Sequence, residues 1–256
     1  MILFLAGTSD ARELALEIQK EGFRVLATVV TESAAKSLED AGIPAQIGRL
    51  TAADIAALIK EKGFQAVVDA SHPFAEEASK NALQGAKEAD VPYIRYERES
   101  QRFQHPKLSV VSNYAEAAKL AAKKQGVIML TTGSKTLEIF AKELVGLPNT
   151  RMITRMLPRI DNMEKCAALG IEQKDIVAIQ GPFSKELNKA LYKQYGVTLM
   201  ITKESGKVGS VDEKVEAALE CGIETIMIAR PKVDYSNVFS SFDQVITDLN
   251  KKLCIQ

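Results

Sequence analysis

The chain has no tryptophan, only two histidines and only three cysteines. Cys166, Cys221 and Cys254 lie far apart and form no CxxC pair. Each is therefore expected to be an unreactive thiol, in keeping with a reducing cytoplasm. Neither sign of charge is in excess, with 33 lysines and arginines against 33 aspartates and glutamates. No global field then steers the chain to nucleic acid or an anionic membrane, and a polyanion must be held by a local basic patch. Long hydrophobic runs are absent too. The N-terminal MILFLAG has no basic flank and is too short for a signal peptide or a membrane span, so it reads as a first strand. Three familiar signatures are also missing. The dinucleotide turn has three glycines, but FLAGTSDARELA has only Gly7. In TTGSK, Ser134 separates Gly133 from Lys135, which breaks the Walker pattern and argues against ATP hydrolysis. No tyrosine has a lysine four residues on, which disfavours a short-chain dehydrogenase.

What is present is an alternation. With 256 residues, 46% apolar and 26% charged, the chain suits one large globular domain or two small ones. Short unbroken apolar runs end in small or polar residues, and helix-period patterns follow. The runs are Ile2–Ala6, Val25–Val30, Ala66–Asp69 and Tyr93–Arg95, then Val127–Leu130, Met152–Thr154, Ile176–Ile179, Thr198–Thr202 and Thr225–Ala229. Runs without polar alternation indicate strands buried on both faces of a parallel sheet. Between them lie stripes such as Ala11, Leu14, Ala15 and Ile18, or Leu137, Phe140, Ala141 and Leu144. The fold class is therefore α/β, with two Rossmann-like parallel-sheet domains and the active site expected in the cleft between them. The rhythm restarts after Pro106, so the domains are set at residues 1–112 and 113–256, with SFDQVITDLNKKL as an amphipathic closing helix.

Ligands of such sheets sit beyond the carboxyl ends of the strands. In the first loop Gly7 permits close backbone approach, Thr8 and Ser9 can donate, and Ala11 lets the helix pack on the strand. A phosphate cradle and a plain strand–helix turn stay equally open; Asp10 is awkward for a phosphate and is expected to cap the helix or favour its N-terminal dipole. In VVTESAAK, Thr31, Ser33 and Lys36 favour the 2′-phosphate of NADP, against Glu32 as a ribose ligand for NAD. His72 in DASHPFA stands just past a strand end; it either braces the loop through neighbouring backbone or transfers a proton. His105 is expected to be exposed and idle. Arg95, Arg98 and Arg102 in YIRYERESQR form either a solvated face or an anion site. TTGSK, the QGPFSK corner with Ser184 as a helix cap beside Lys185, and Arg151, Arg155 and Arg159 supply further anion handles in the second half.

Taken in order, AGTSDARELA, DASHPFAEEAS, PYIRYERES, TTGSKTLEIF, RMLP, QGPFSKELN, TKESG, GSVDEKVEAALECGI and ARP resemble the loops of precorrin-6A and cobalt-precorrin-6A reductases of cobalamin biosynthesis. The resemblance runs to about Pro231, and Ala6 departs from it where a first glycine is frequent. It implies a cytoplasmic enzyme that uses NADPH to reduce one double bond of (cobalt-)precorrin-6A, giving (cobalt-)precorrin-6B, without a metal or flavin of its own. It implies that Gly7, Thr8, Ser9 and Ala11 hold the pyrophosphate, and that Ser71, His72, Pro73 and Phe74 lie near nicotinamide and substrate. Arg95, Arg98, Thr132, Gly133, Ser134, Lys135, Gly181 and Ser184 would face the polycarboxylate tetrapyrrole, with His72 as the candidate proton donor. Other corrin-pathway enzymes are conceivable partners; nucleic acid and membrane are not expected. A rival from another class is a non-catalytic NADP(H) or anion sensor built on the same paired domains.

Overall fold

The computed structural model describes residues 1–98, 104–204 and 212–253. The chain folds as two compact units, Met1–Glu99 with Pro231–Gln256, and Ser100–Arg230. The first contains β1 (Ile2–Ala6), β2 (Val25–Val29), β3 (Ala45–Ile47), β4 (Ala66–Ala70) and β5 (Tyr93–Tyr96). Its helices include α1 (Ser9–Lys20), α2 (Glu32–Glu39), α3 (Ala52–Lys62) and α4 (Glu76–Glu88). The second contains β6 (Leu108–Val111), β7 (Gly126–Leu130), β8 (Thr150–Met156), β9 (Ile176–Ala178), β10 (Leu199–Lys203) and β11 (Glu224–Ile228). Its helices are α5 (Tyr114–Lys124), α6 (Leu137–Leu144), α7 (Ile160–Ala168), α8 (Lys185–Tyr195) and α9 (Glu213–Glu220). The chain then returns to the first unit through β12 (Val238–Phe239) and α10 (Phe242–Leu253).

Each unit is built on a six-stranded sheet, ordered β12-β5-β4-β1-β2-β3 in one and β6-β11-β10-β7-β8-β9 in the other, with all pairings parallel. Both are doubly wound orders whose direction reverses at a switch point, β1/β4 in the first unit and β7/β10 in the second. The central strands are the unbroken apolar runs: Ile2, Leu3, Phe4, Ala66, Val67 and Val68 are wholly buried between helices on both faces.

The expected division at 112/113 differs from the observed one at both ends of the second unit. Leu108–Val111 pairs with β11, with Ser109 opposite Ile226, so it belongs to the second sheet. The closing segment leaves that unit: Val238 pairs with Arg95, and Val245 and Leu249 of α10 join the first core beside Leu14 and Ile18. The apolar stripe of α10 selects its unit by burial, whatever its place in the chain. In sequence, β6 of the second sheet thus follows β5 of the first, and β12 of the first follows β11 of the second.

Candidate active site

At the first switch point, two turns touch. A Cβ on Gly7 would stand 2.7 Å from the backbone nitrogen of His72 and 3.1 Å from the Ser71 Cα. No flexible side chain is there to give way, so only glycine lets the β1–α1 and β4–α4 turns approach. Thr8 then caps α1, its hydroxyl accepting from the Ala11 N–H at 3.3 Å, and the small Ala11 is fully buried against the sheet. Ser9 opens α1, but its side chain lies outside the described residues. Asp10 does not cap. Its buried carboxylate, in the first turn, is ion-paired to Arg98, which cancels the charge that made it awkward beside a phosphate. Arg102 and Cys254 fall outside the described residues.

Past β2, Thr31 caps α2 by accepting from the Ala34 N–H at 3.2 Å, while Ser33 and Lys36 are exposed on the same helix. Arg12 reaches across from α1 to donate to Ser37 Oγ at 3.1 Å. His72 is exposed, and its Nδ1 accepts from the Phe74 N–H at 3.2 Å. A neutral ring bonded in this way carries its proton on Nε2. The bracing bond is therefore present, and it puts the ring proton on the opposite nitrogen. His105 is exposed and makes the same kind of turn, its Nδ1 accepting from the Lys107 N–H at 3.1 Å.

Arg95 is a correction. It is 0% exposed, lies 2.9 Å from the equally buried Asp69 carboxylate, and pairs with Glu97 at 3.1 Å. A macrocycle carboxylate cannot reach a guanidinium closed off by two acids, so Arg95 is part of the interior rather than a substrate ligand. Burial alone would lower its pKa, but Asp69, Tyr235 and Glu97 outweigh that and raise it. Arg98 is likewise committed to Asp10, which removes it as a ready partner for a substrate carboxylate. Tyr93 donates to Asp69 at 2.7 Å, and burial, then Asp69, holds its phenol far above the usual range.

The second unit contains a cavity of about 440 Å³, lined among others by Gly133, Arg155, Leu157, Gly181, Phe183 and Lys214. Gly133 turns with φ +79, a conformation that side chains rarely adopt. Beside it Thr132 is buried with its hydroxyl unpartnered, Ser134 is half-buried and Lys135 exposed. Of three arginines on this side, Arg151 pairs with Asp175 at 2.7 Å and Arg159 with Asp161 at 2.9 Å. Only Arg155 lines the cavity. It is 7% exposed, donates to the neutral Asn188 Oδ1 at 2.7 Å, and lies 4.4 Å from the centre of the Phe183 ring. Burial lowers its pKa, outweighing the opposing influence of Tyr192 and Asp212. Ser184 caps α8 as expected, but Lys185 turns away to Glu216 and Glu220. Lys203 ends β10, its pKa lowered by burial and then by Lys214 and Lys135. Asp69, Asn188, Lys203 and Tyr235 were not singled out from the sequence. Only Asp69 offered a local signal, as a carboxylate inside the apolar run AVVDA.

Residues 1–250 match the family model described as precorrin-6x reductase CbiJ/CobK. The chain belongs to the precorrin-6x reductase family. It is 61% identical over 246 residues to the cobalt-precorrin-6A reductase of Priestia megaterium, covering 96% of each chain. The corresponding reductase of Methanocaldococcus jannaschii is 37% identical, again with 96% of each chain covered. The solved structure of CobK precorrin-6A reductase shares the fold, with a TM-score of 0.79 at 23% identity over 98% of this chain and 96% of that one. Membership makes the chain an oxidoreductase of cobalamin biosynthesis, as its ordered loops implied, and a reductase of this family implies a reduced nicotinamide cofactor. It also sets aside the non-catalytic sensor. Among the described residues, no helix is long and apolar enough to cross a membrane.

Proposed function

We propose that this chain reduces one double bond of (cobalt-)precorrin-6A to give (cobalt-)precorrin-6B in the cytoplasm, with NADPH as the reductant. The observation that carries the assignment of the coenzyme is the Gly7–His72 approach. It forms a cradle that a single methyl group would fill, at the start of a capped helix whose first-turn acid, Asp10, is already neutralised. Free amides at such a helix start suit a pyrophosphate. Gly7, Thr8, Ser9 and Ala11 would hold it, with Ser71 supporting the facing turn, and Thr31, Ser33 and Lys36 would meet the 2′-phosphate. When bound, NADPH supplies a hydride to one ring carbon.

The chain's own part is to hold the macrocycle and deliver a proton. Arg155, with Lys135 and Lys203, offers positive charge to the acetate and propionate carboxylates, while Thr132, Gly133, Ser134, Gly181 and Ser184 shape the same side of the second unit. His72, braced through Nδ1, presents an Nε2–H to the carbon adjacent to the reduced one. No resident metal or flavin is invoked. Other corrin-pathway enzymes would supply this substrate and remove the product.

Anaerobic incubation with each form of precorrin-6A, following nicotinamide absorbance, tests the reading. Loss of NADPH absorbance with either form is the expected result. Tight NADPH binding with no oxidation by either form would overturn it. Equal affinity for NADH would overturn the assignment of NADPH alone and make Glu32 the ribose ligand. A folded His72→Asn variant should lose about 10²–10⁴-fold in kcat; an unchanged kcat would reassign the proton to water or substrate.

A further inference from the structure

Among the described residues Arg95 is the largest wholly buried side chain, and its bonds converge on one turn. Its Nη1 donates to Ser71 Oγ at 3.1 Å and lies 3.4 Å from the Asp69 carbonyl, besides pairing with the Asp69 carboxylate. That carboxylate also accepts the Ser71 N–H at 2.9 Å and the Tyr93 hydroxyl at 2.7 Å. Ser71 Oγ is shared with Ser79 of α4 at 3.2 Å. The guanidinium carbon lies 5.2 Å from the centre of the Tyr235 ring, which stacks on Tyr93. The Arg95 N–H donates to the Asn237 carbonyl at 2.8 Å. Among the described residues, the bonds that fix Ser71 therefore run to Arg95, to a partner of Arg95, or to α4. Ser71 and His72 are the residues whose backbone touches Gly7.

We propose that Arg95 is a positioning residue for the coenzyme. Through Asp69 and Ser71 it clamps the β4–α4 turn against Gly7, and through Tyr235 and Asn237 it ties that turn to the returning segment. A buried ion pair contributes little net stability against an apolar substitute, because desolvation offsets its attraction. Its use here is geometric: a planar fork serves Asp69, Ser71 and Glu97 together, which a lysine ammonium cannot do in the same directions. The inference rests on the reading that the first unit holds NADPH.

The test compares Arg95→Lys and Tyr235→Leu with a control, Arg151→Met, which breaks an arginine–carboxylate pair in the second unit. Three quantities are read: amide hydrogen exchange of residues 71–75, NADPH affinity by fluorescence titration, and steady-state kinetics. Arg95→Lys is expected to speed exchange at those amides, weaken NADPH binding and lower kcat by about a hundredfold, with the tetrapyrrole KM unchanged. Tyr235→Leu, which abandons no charge and keeps the fold if Arg95→Lys does not, should show the same pattern more weakly. Arg151→Met should lower the melting temperature only. If Arg95→Lys and Tyr235→Leu also lower only the melting temperature, Arg95 is merely structural and the proposal fails. If the wild type does not bind NADPH, the functional reading fails; the exchange rates alone then support or overturn the clamp.

Discussion

The two units share a sheet order, and each buries an arginine near a strand end, yet the surroundings of the two arginines are opposite. Arg95 is enclosed by Asp69 and Glu97, whereas Arg155 meets a neutral amide and an aromatic face. Charge in the first unit is cancelled within the unit, as it is again at Asp10–Arg98. In the second, Lys203 is near enough to Lys135 and to Lys214, which lines the cavity, to feel both charges. One scaffold therefore yields a turn whose geometry is fixed by internal ion pairs, and a cavity where, among the described residues, Arg155 stands without a carboxylate ion pair of its own while Asp212 and Lys214 pair with each other. The same residue type closes an ion-pair network in one unit and lines a cavity in the other.

That contrast is open to attack. Asp69→Ala abandons the buried Arg95 charge and should cost about 3–5 kcal/mol in chemical denaturation, whereas Arg155→Met abandons no carboxylate and should cost far less. Equal losses would erase the distinction. Gly7→Ala drives a methyl group into the His72 backbone; a cost of about 1–3 kcal/mol is expected, with weakened NADPH binding and an unchanged tetrapyrrole KM. A wild-type NADPH affinity in that variant would remove the cradle from the coenzyme site.

The smallest effect is in pH. The Lys203 pKa is lowered, so its protonated form is disfavoured by the fold at neutral pH. The stability it withholds returns as pH rises through the lowered value toward the ordinary lysine value. Over the same window its charge is lost, and the tetrapyrrole KM should climb. Lys203→Met should flatten that climb; an unaltered alkaline profile in the variant would exclude Lys203 from the site.

Much of the scaffold was legible in the sequence. Unbroken apolar runs such as ILFLA and AVVDA could only be strands covered on both faces, and all nine runs correspond to strands. The strands not read, β3, β6 and β12, are edge or near-edge pieces of two to four residues, half-buried and without a run to betray them. Gly7 and Ser184 were legible because a turn and a helix cap are local, whereas the cap of α1 was expected at Asp10 and falls to Thr8. Arg95 was not. A charged residue among Glu97, Arg98 and Glu99 looks solvated, and its burial depends on Asp69, 26 residues away in sequence, and on Tyr235 from the returning segment. Arg155 stood among three arginines in RMITRMLPR, and only the partners of Arg151 and Arg159 separate it from them.

The division of labour is tested most directly by the kinetics of Arg155→Met, with NADPH and the tetrapyrrole varied in turn. The account expects the tetrapyrrole KM to rise about tenfold or more, as for a lost charge-assisted hydrogen bond, with NADPH affinity at the wild-type value. A variant that loses NADPH affinity while keeping its tetrapyrrole KM would contradict it.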